Sequence, residues 1–196
     1  MEYQAHDFSH LLGLKGFSDA LLKNHFTLYQ GYVINTNKLH EKLLTLVKEG
    51  KASSPEFAEL KRRFGWEFNG MRLHEYYFGN MCKEKKQMKE DSSLYQQVLR
   101  DFGSGDLCKS DFVATGALRG IGWVIMYYDP LAQRLFNVWV NEHDAGHLSG
   151  AVPLLVMDVF EHAFMLDYGL KRADYINNFL DAIDWDVVQE RFEKAQ

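Results

Sequence analysis

The sequence is poor in cysteine, has no excess of positive charge and contains no long apolar run. Its two cysteines, Cys82 and Cys108, stand far apart and match no metal-binding or redox spacing, so we expect both to be reduced. The formal net charge of −5 gives no global positive field for nucleic acid or anionic membranes. No apolar run approaches the roughly 20 residues that cross a bilayer. We therefore expect a protein that binds neither nucleic acid nor membrane.

Targeting signals and repeats are also missing from the sequence. Residues 1–7 lack the basic and apolar regions of a secretory signal, and no internal repeat or low-complexity tract is visible. Together with the reduced cysteines, this leads us to expect a cytoplasmic location. The 196 residues, 46% of them hydrophobic and 25% charged, suit a globular protein with one good-sized core or two small domains.

Two long helices are predicted in the N-terminal half, after an extended arm over residues 1–17. Apolar residues recur at helical spacing from Ser18 to Gly50, and the glycine ends the pattern. A second start signal at Ser54 combines a capping hydroxyl with proline at the next position, and this helix runs to about Met81. The connection between the two helices is short, which indicates an antiparallel hairpin.

A charged segment after Cys82 is the predicted domain boundary, with a helical hairpin domain over residues 1–85 and a second domain over residues 92–196. In the second domain we predict strands at 120–130, 135–140 and 151–157, and helices at 93–102, 110–118, 161–169 and 173–196. The fold class is therefore α+β: a long antiparallel helical hairpin followed by an α/β domain with a three-stranded antiparallel sheet.

An acidic residue, Asp158, follows an apolar strand that begins at Pro153 and that we expect to be buried on both faces. A carboxylate taken out of water costs several kcal/mol unless it is paired or bound to a metal. His162 comes four residues later, at the predicted start of a helix, so that the two side chains can point to one place. A metal site and a buried Asp–His hydrogen bond both account for this pair.

Two further histidines lie on apolar stripes, His25 on the first long helix and His74 on the second. A lone histidine on an apolar face is usually a satisfied core residue, but a hairpin lets these two face each other. With Asp158 and His162 they would form a set of three imidazoles and one carboxylate. Such a set suits iron, manganese or zinc.

Motifs along nearly the whole chain carry a resemblance to a known family. They are His25…Tyr32-Val-x-Asn35-x-Asn37, His74-x-x-Tyr77-Phe78, Gly120-x-Gly-Trp123, Pro153-Leu-Leu-x-x-Asp158-Val-Phe-Glu-His162-Ala, Arg172-x-x-Tyr175 and Asp184-Trp185. With these motifs the chain resembles the iron/manganese superoxide dismutases, although Phe160 replaces the family's tryptophan. The resemblance implies that His25, His74, Asp158 and His162 bind one iron ion per subunit, with manganese as the alternative. It also implies dismutation of superoxide to oxygen and hydrogen peroxide.

The resemblance further implies two groups that act on substrate and solvent. Tyr32 would guard the substrate funnel and support proton delivery. The family holds the metal-bound solvent with a glutamine from one of two positions, and the helix position is Gly70 here. We therefore expect His143, before the third strand, to hold the solvent, with Glu142 and His147 as alternatives.

Other family features are implied around the site. Trp123, Phe160 and Tyr77 would form a dry apolar cage. Apart from the resemblance, an anionic substrate needs local positive charge in an acidic chain, for which Arg172 and Arg72 are candidates, with surface salt bridges as the alternative interpretation of both.

The family's dimer signature is carried by Glu161, which would bond the metal-binding histidine of the other subunit in a two-fold homodimer. Tyr29 and Met165 replace a histidine and a tyrosine that meet across this interface in the family, so we expect a repacked interface.

The first helix departs from the family pattern in its spacing, and the choice of metal is left open by that pattern. The family usually has one residue more between His25 and Tyr32, and such an insertion makes a π-bulge, so we predict a regular α-helix over 25–33. Val156 is branched, as in relatives that more often favour iron. Two other functions remain open: a scaffold that has lost redox turnover, and a metal-dependent hydrolase or oxygenase with a larger pocket.

Overall fold

The computed structural model describes residues 2–196, in which two long helices form the N-terminal hairpin. Helix α1 spans Asp19–Lys48 and helix α2 spans Pro55–Gly79. Each begins at a serine whose side chain accepts a hydrogen bond from a backbone N–H of the first turn, Ser18 for α1 and Ser54 for α2. The α1 helix is regular α-helix throughout, so the prediction for residues 25–33 is confirmed.

The C-terminal part contains a three-stranded antiparallel sheet with the strand order β2-β1-β3. Strand β1 spans Gly122–Asp129, β2 spans Arg134–Asn141 and β3 spans Val152–Asp158. The central strand β1 is buried over nearly its whole length. In the β1–β3 register Trp123 is opposite Asp158, so the sheet itself sets an aromatic ring beside the predicted ligand. The predicted α+β fold class is confirmed.

The C-terminal part also has five shorter helices, three of which pack against the sheet, and the bounds predicted for three helical segments were wrong. The helix predicted at 110–118 begins earlier, because the Ser104 side chain caps it at Leu107 N–H. The helix predicted at 161–169 is a 3-10 turn at Glu161–Ala163 followed by one α-helical turn. The helix predicted at 173–196 is divided in two. The five helices are α3 (Ser93–Phe102), α4 (Gly105–Gly116), α5 (Met165–Tyr168), α6 (Arg172–Asp181) and α7 (Trp185–Ala195).

The division between α6 and α7 also ties the C-terminal end of α2 to the sheet. Ile183 forms a β-bridge with Met81, and the Asp184 side chain then caps α7. Beside this bridge the buried Asn80 side chain accepts hydrogen bonds from Val156 N–H of β3, at 2.9 Å, and from Arg191. These contacts fix α2 against β3 and thereby bring His74 of α2 next to Asp158.

Among residues 2–196, no helix combines the length and the apolar character that a membrane span requires.

Candidate metal centre

Four predicted ligands converge where α1, α2 and the end of β3 meet. The Nε2 atoms of His25, His74 and His162 lie 3.2, 3.6 and 3.1 Å from Oδ2 of Asp158. One potential ligand atom from each of the four residues lies within 4.8 Å of the others. His25, His74 and Asp158 are buried, whereas the His162 side chain is 28% exposed. The structure therefore brings together all four residues that the sequence indicated.

Oδ2 of Asp158 and Nε2 of His74 face each other, and neither atom carries a proton. Oδ1 of Asp158 accepts the Phe160 N–H at 2.8 Å, which aims Oδ2 at the histidines. His74 Nδ1 is 2.5 Å from the Gly70 carbonyl oxygen, which can only accept, so Nδ1 carries the proton and Nε2 is bare. His74 Nε2 is buried and has no hydrogen-bond partner among the described residues. A cation between these atoms would remove their repulsion.

The spacing of the four atoms also fits a single ion. Donors about 2.1 Å from one ion are about 3.0–3.6 Å apart when their angle at the ion is about 90–120°. The distances from Oδ2 of Asp158 to the three imidazoles lie in or next to this range. Three imidazole nitrogens and one carboxylate oxygen are ligands that suit first-row transition metals such as iron. The residues present therefore fit a mononuclear metal centre.

The electrostatics hold these residues in the protonation states that bind metals. Burial would raise the pKa of Asp158, but His162 and His25 together keep it well below its usual range. Burial lowers the pKa of His25 despite its contact with Asp158, and lowers that of His74 more strongly. Asp158 is therefore ionised, and His25 and His74 are neutral imidazoles with a lone pair to donate.

Aromatic rings enclose the ligands on several sides. The ring centroids of Trp123 and His74 are 5.0 Å apart, and those of Phe160 and His162 are 5.1 Å apart. Tyr77 packs against His25 at 5.3 Å and is fully buried. Tyr175 donates to the backbone carbonyl of Asp158 at 2.6 Å. Because that hydroxyl proton is used, Tyr77 donates to Tyr175 Oη over 3.1 Å.

His143 and Tyr32 form a second cluster beside the ligands. Trp123 Nε1–H donates to His143 Nδ1 at 3.0 Å, so the neutral imidazole carries its proton on Nε2. That N–H donates to Tyr32 Oη at 2.8 Å. Burial lowers the pKa of His143 to about 4 and raises that of Tyr32 to about 12, so both groups are uncharged at neutral pH.

The alternatives to His143 lie elsewhere in the same loop. His147 contacts Tyr127 and the His143 backbone rather than the ligand cluster. Glu142 is half-buried and adopts a positive φ of 51°. At Gly70 an added Cβ would lie 2.6 Å from Cδ1 of Tyr32, so the tyrosine ring already fills the space where a side chain from that position would begin.

Two residues near this second cluster were missed in the sequence analysis. The Trp66 ring lies 4.8 Å from the His143 ring, edge to face, and the Arg63 guanidinium lies over Trp66 at 4.8 Å. Spacing offered a signal, since Trp66, Gly70 and His74 follow each other at intervals of four on one face of α2. The Arg63 charge also lowers the pKa of both His143 and Tyr32, although burial is the larger influence on each.

The other residues named from the sequence, Tyr29, Arg72 and Arg172, form their hydrogen bonds and ion pairs with residues other than the four candidate ligands. Tyr29 is buried and donates to Glu75 Oε1 at 3.0 Å, while Arg72 pairs with the other carboxylate oxygen of Glu75. Arg172 donates to the Gly120 carbonyl at 2.9 Å.

Glu161, Met165 and Leu166 are exposed around the accessible edge of His162. They line, with Leu21 and Asn24, a cavity of about 420 Å³ that opens to the surface.

Comparisons with known proteins agree in one family. A family model described as iron/manganese superoxide dismutases, C-terminal domain, matches residues 89–191. An iron superoxide dismutase of Aquifex aeolicus is 36% identical over 187 residues, covering 93% of this chain and 87% of the relative. A manganese superoxide dismutase of Haloferax volcanii is 35% identical over 172 residues, covering 88% and 84%. An iron enzyme of Cupriavidus metallidurans is 34% identical over 186 residues, covering 93% and 91%.

Proposed function

The chain belongs to the iron/manganese superoxide dismutase family, and on that premise we propose that it disproportionates superoxide to oxygen and hydrogen peroxide. The reaction takes place at one iron or manganese ion held by His25, His74, Asp158 and His162. The observation that carries this proposal is the convergence of three imidazole nitrogens on Oδ2 of Asp158, with a bare lone pair on His74. The bound ion supplies one-electron chemistry between its +3 and +2 states, for which zinc has no counterpart.

Tyr32 and His143 are the groups that handle protons in this proposal. Because His143 Nε2–H donates to Tyr32 Oη, the Tyr32 hydroxyl proton remains available to solvent or product in the site. The raised pKa of Tyr32, about 12, keeps that proton in place until an acceptor arrives. His143 orients the hydroxyl and helps to hold solvent beside it. Trp123, Phe160 and Tyr77 exclude bulk water around these groups.

Attraction of the substrate requires local positive charge, because superoxide is an anion and the chain carries a net charge of −5. Arg63 lies over Trp66 beside His143 with its side chain 52% exposed, and its guanidinium pairs with the buried carboxylate of Glu67 at 2.7 Å. Arg72 is likewise partly neutralised, by Glu75, so what favours Arg63 as a source of attraction is its position above Trp66, whose ring contacts His143. Arg172 lies against Gly120 and Phe164, near the exposed His162 side of the site.

The preferred metal is iron in this proposal, with manganese as the alternative. Relatives named for each metal are similar to the chain to nearly the same extent. The lean towards iron rests on the family resemblance at Val156, two residues before Asp158 on β3. The test is to purify the metal-free protein, load separate samples with iron, manganese and zinc, and measure superoxide decay in each. We expect turnover with iron, weaker turnover with manganese and none with zinc. Bound iron and manganese without turnover would contradict the proposed function and favour a scaffold role.

We also propose a homodimer in which Glu161 of each subunit bonds His162 of the other. Supporting this, the His162 side chain is partly exposed and the residues around it, Glu161, Met165 and Leu166, are exposed. Such a reciprocal contact is what two-fold symmetry produces.

A cytoplasmic location and the division into domains at 1–85 and 92–196 complete the proposal. The two free cysteines support the first, because unpaired thiols persist in reducing compartments.

A further inference from the structure

His143 lies in a tightly folded loop between β2 and β3. The loop closes through paired backbone hydrogen bonds between Asn141 and Ala145, at 2.7 and 3.3 Å. Glu142 has a positive φ of 51°, and Gly146 has a positive φ of 106°. A Cβ on Gly146 would lie 2.9 Å from the Trp139 carbonyl oxygen, so only glycine fits there. This backbone path turns the His143 carbonyl towards the side chain of His147.

The His147 side chain links that carbonyl to the sheet. Its Nε2 lies 2.9 Å from the His143 carbonyl oxygen, which can only accept, so Nε2 carries the proton. In the neutral imidazole Nδ1 is then an acceptor, and it lies 2.6 Å from Tyr127 Oη. Burial raises the pKa of Tyr127, which keeps its hydroxyl protonated and able to donate. Tyr127, His147 and the His143 backbone therefore form one directed chain of hydrogen bonds.

Both supports of His143 start from the same strand. Trp123 and Tyr127 are four residues apart on β1 and pair with β2 in unbroken register, so both side chains point to one face of the sheet. Trp123 holds the imidazole ring of His143 at Nδ1, and Tyr127 holds its backbone through His147. The central strand is the most buried element of the sheet, which makes it a rigid base for both contacts.

We propose that His147 is a positioning residue: with Tyr127, it fixes the backbone of His143 so that Nε2–H stays directed at Tyr32. This inference rests on the proposed function, because it gives His147 a purpose only where His143 and Tyr32 handle protons. His147 does not contact the four candidate ligands, so the metal is retained without it. Two substitutions of His147 distinguish hydrogen bonding from packing. Glutamine has a side-chain N–H that can still donate to the His143 carbonyl, whereas leucine has none.

The experiment compares His147→Leu, His147→Gln and Tyr127→Phe with the unaltered chain, and uses His40→Leu on the exposed surface of α1 as the control. We expect His147→Leu to lower kcat about tenfold, as loss of a supporting hydrogen bond near a metal typically does. His147→Gln should recover most of that loss, and Tyr127→Phe should fall between them. Metal content should be unchanged in all variants. Equal losses for leucine and glutamine would overturn the proposal in favour of simple packing.

A second measurement does not depend on activity. In zinc-loaded, 15N-labelled protein, the nitrogen chemical shifts of His143 report which ring nitrogen carries the proton. We expect a single Nε2–H form in the unaltered chain, because Trp123 Nε1–H occupies Nδ1. In His147→Leu the released backbone should let the ring move away from Trp123 and Tyr32, which should give a mixture of forms. An unchanged single form in His147→Leu would overturn the proposal, even if the chain proved inactive towards superoxide. If His147→Leu does not fold, the His143 nitrogen shifts of Tyr127→Phe and His147→Gln decide the question. A mixture of forms in Tyr127→Phe with a single form in His147→Gln would support the proposal, and a single form in both would overturn it.

Discussion

His74 Nε2 lies 3.6 Å from Oδ2 of Asp158, and neither atom carries a proton. Both atoms are buried, so their mutual repulsion is weakly screened in the metal-free chain. An ion between them converts this repulsion into two bonds, and binding to the folded state alone raises the free energy of unfolding. Metal binding and stability should therefore be coupled at this site.

Removal of the metal by a chelator should lower the unfolding temperature, because the stabilising ion is lost. An ion at a hundred times its Kd contributes about 2.7 kcal/mol to the free energy of unfolding. Asp158→Asn keeps the side-chain size and removes the charge, so it should bind little metal and show no response to the chelator. Calorimetry with metal analysis measures both effects. Asp174→Asn, on the exposed surface of α6, is the control, and a metal-replete Asp158→Asn protein would refute the ligand assignment.

The hydroxyl of Tyr32 should matter for turnover rather than for metal binding. Tyr32→Phe removes the acceptor of His143 Nε2–H and the proton that we propose reaches the product. We expect kcat to fall about tenfold with unchanged metal content. Stopped-flow measurement of superoxide decay tests this at fixed pH. Turnover equal to that of the unaltered chain would remove Tyr32 from the proposed proton path.

The contact between Gly70 and Tyr32 predicts a stability difference between two glycines of α2. In Gly70→Ala the new Cβ would lie 2.6 Å from the Tyr32 ring, so the ring must shift, at a cost of about 1–3 kcal/mol. In Gly65→Ala the new Cβ would meet nothing within 4 Å, and better helix propensity should add about 1 kcal/mol. Urea denaturation measures the two shifts. Two variants that change stability in the same direction would show that the close approach is not rigid.

Local chemistry made most of the fold predictable from the sequence. Ser18 and Ser54 mark helix starts because a capping hydroxyl acts on N–H groups three residues away, and both starts are confirmed. The break at Ile183 was missed because it depends on a bridge to Met81, about a hundred residues away in the chain. No local pattern reports such a contact.

The candidate site likewise has a part that the sequence could predict and a part that it could not. The convergence of His25, His74 and the Asp158 segment was predictable because each carries chemistry in an apolar stretch that the hairpin and the sheet bring together. The link from Tyr127 through His147 was not, because it depends on the backbone path of a loop that includes a non-glycine residue with positive φ. Such a conformation leaves no periodic signal.

The exposed side of His162 predicts an effect of Glu161 on assembly. Glu161→Ala removes the carboxylate that we propose bonds His162 across a two-fold axis, so we expect monomers or reduced metal retention. Analytical ultracentrifugation and metal analysis measure these outcomes. Glu90→Ala, an exposed glutamate before α3, is the control. A Glu161→Ala protein that remains dimeric with its full metal content would contradict the proposed interface.

The position of Arg63 above Trp66 predicts a salt-dependent effect on substrate capture. Arg63→Ala removes a positive charge beside His143 and leaves the carboxylate of its partner Glu67 unpaired, so kcat/KM should fall severalfold at low ionic strength, where an anionic substrate is attracted most strongly. The difference should shrink at about 0.5 M salt, because screening then acts over only a few ångströms. Arg62→Ala is the matched control, since Arg62 is the adjacent residue and pairs with Glu59 on the exposed surface. Equal losses in the two variants, or a loss in Arg63→Ala that salt does not reduce, would show that Arg63 acts through its structural contacts with Trp66 and Glu67 rather than by attracting superoxide.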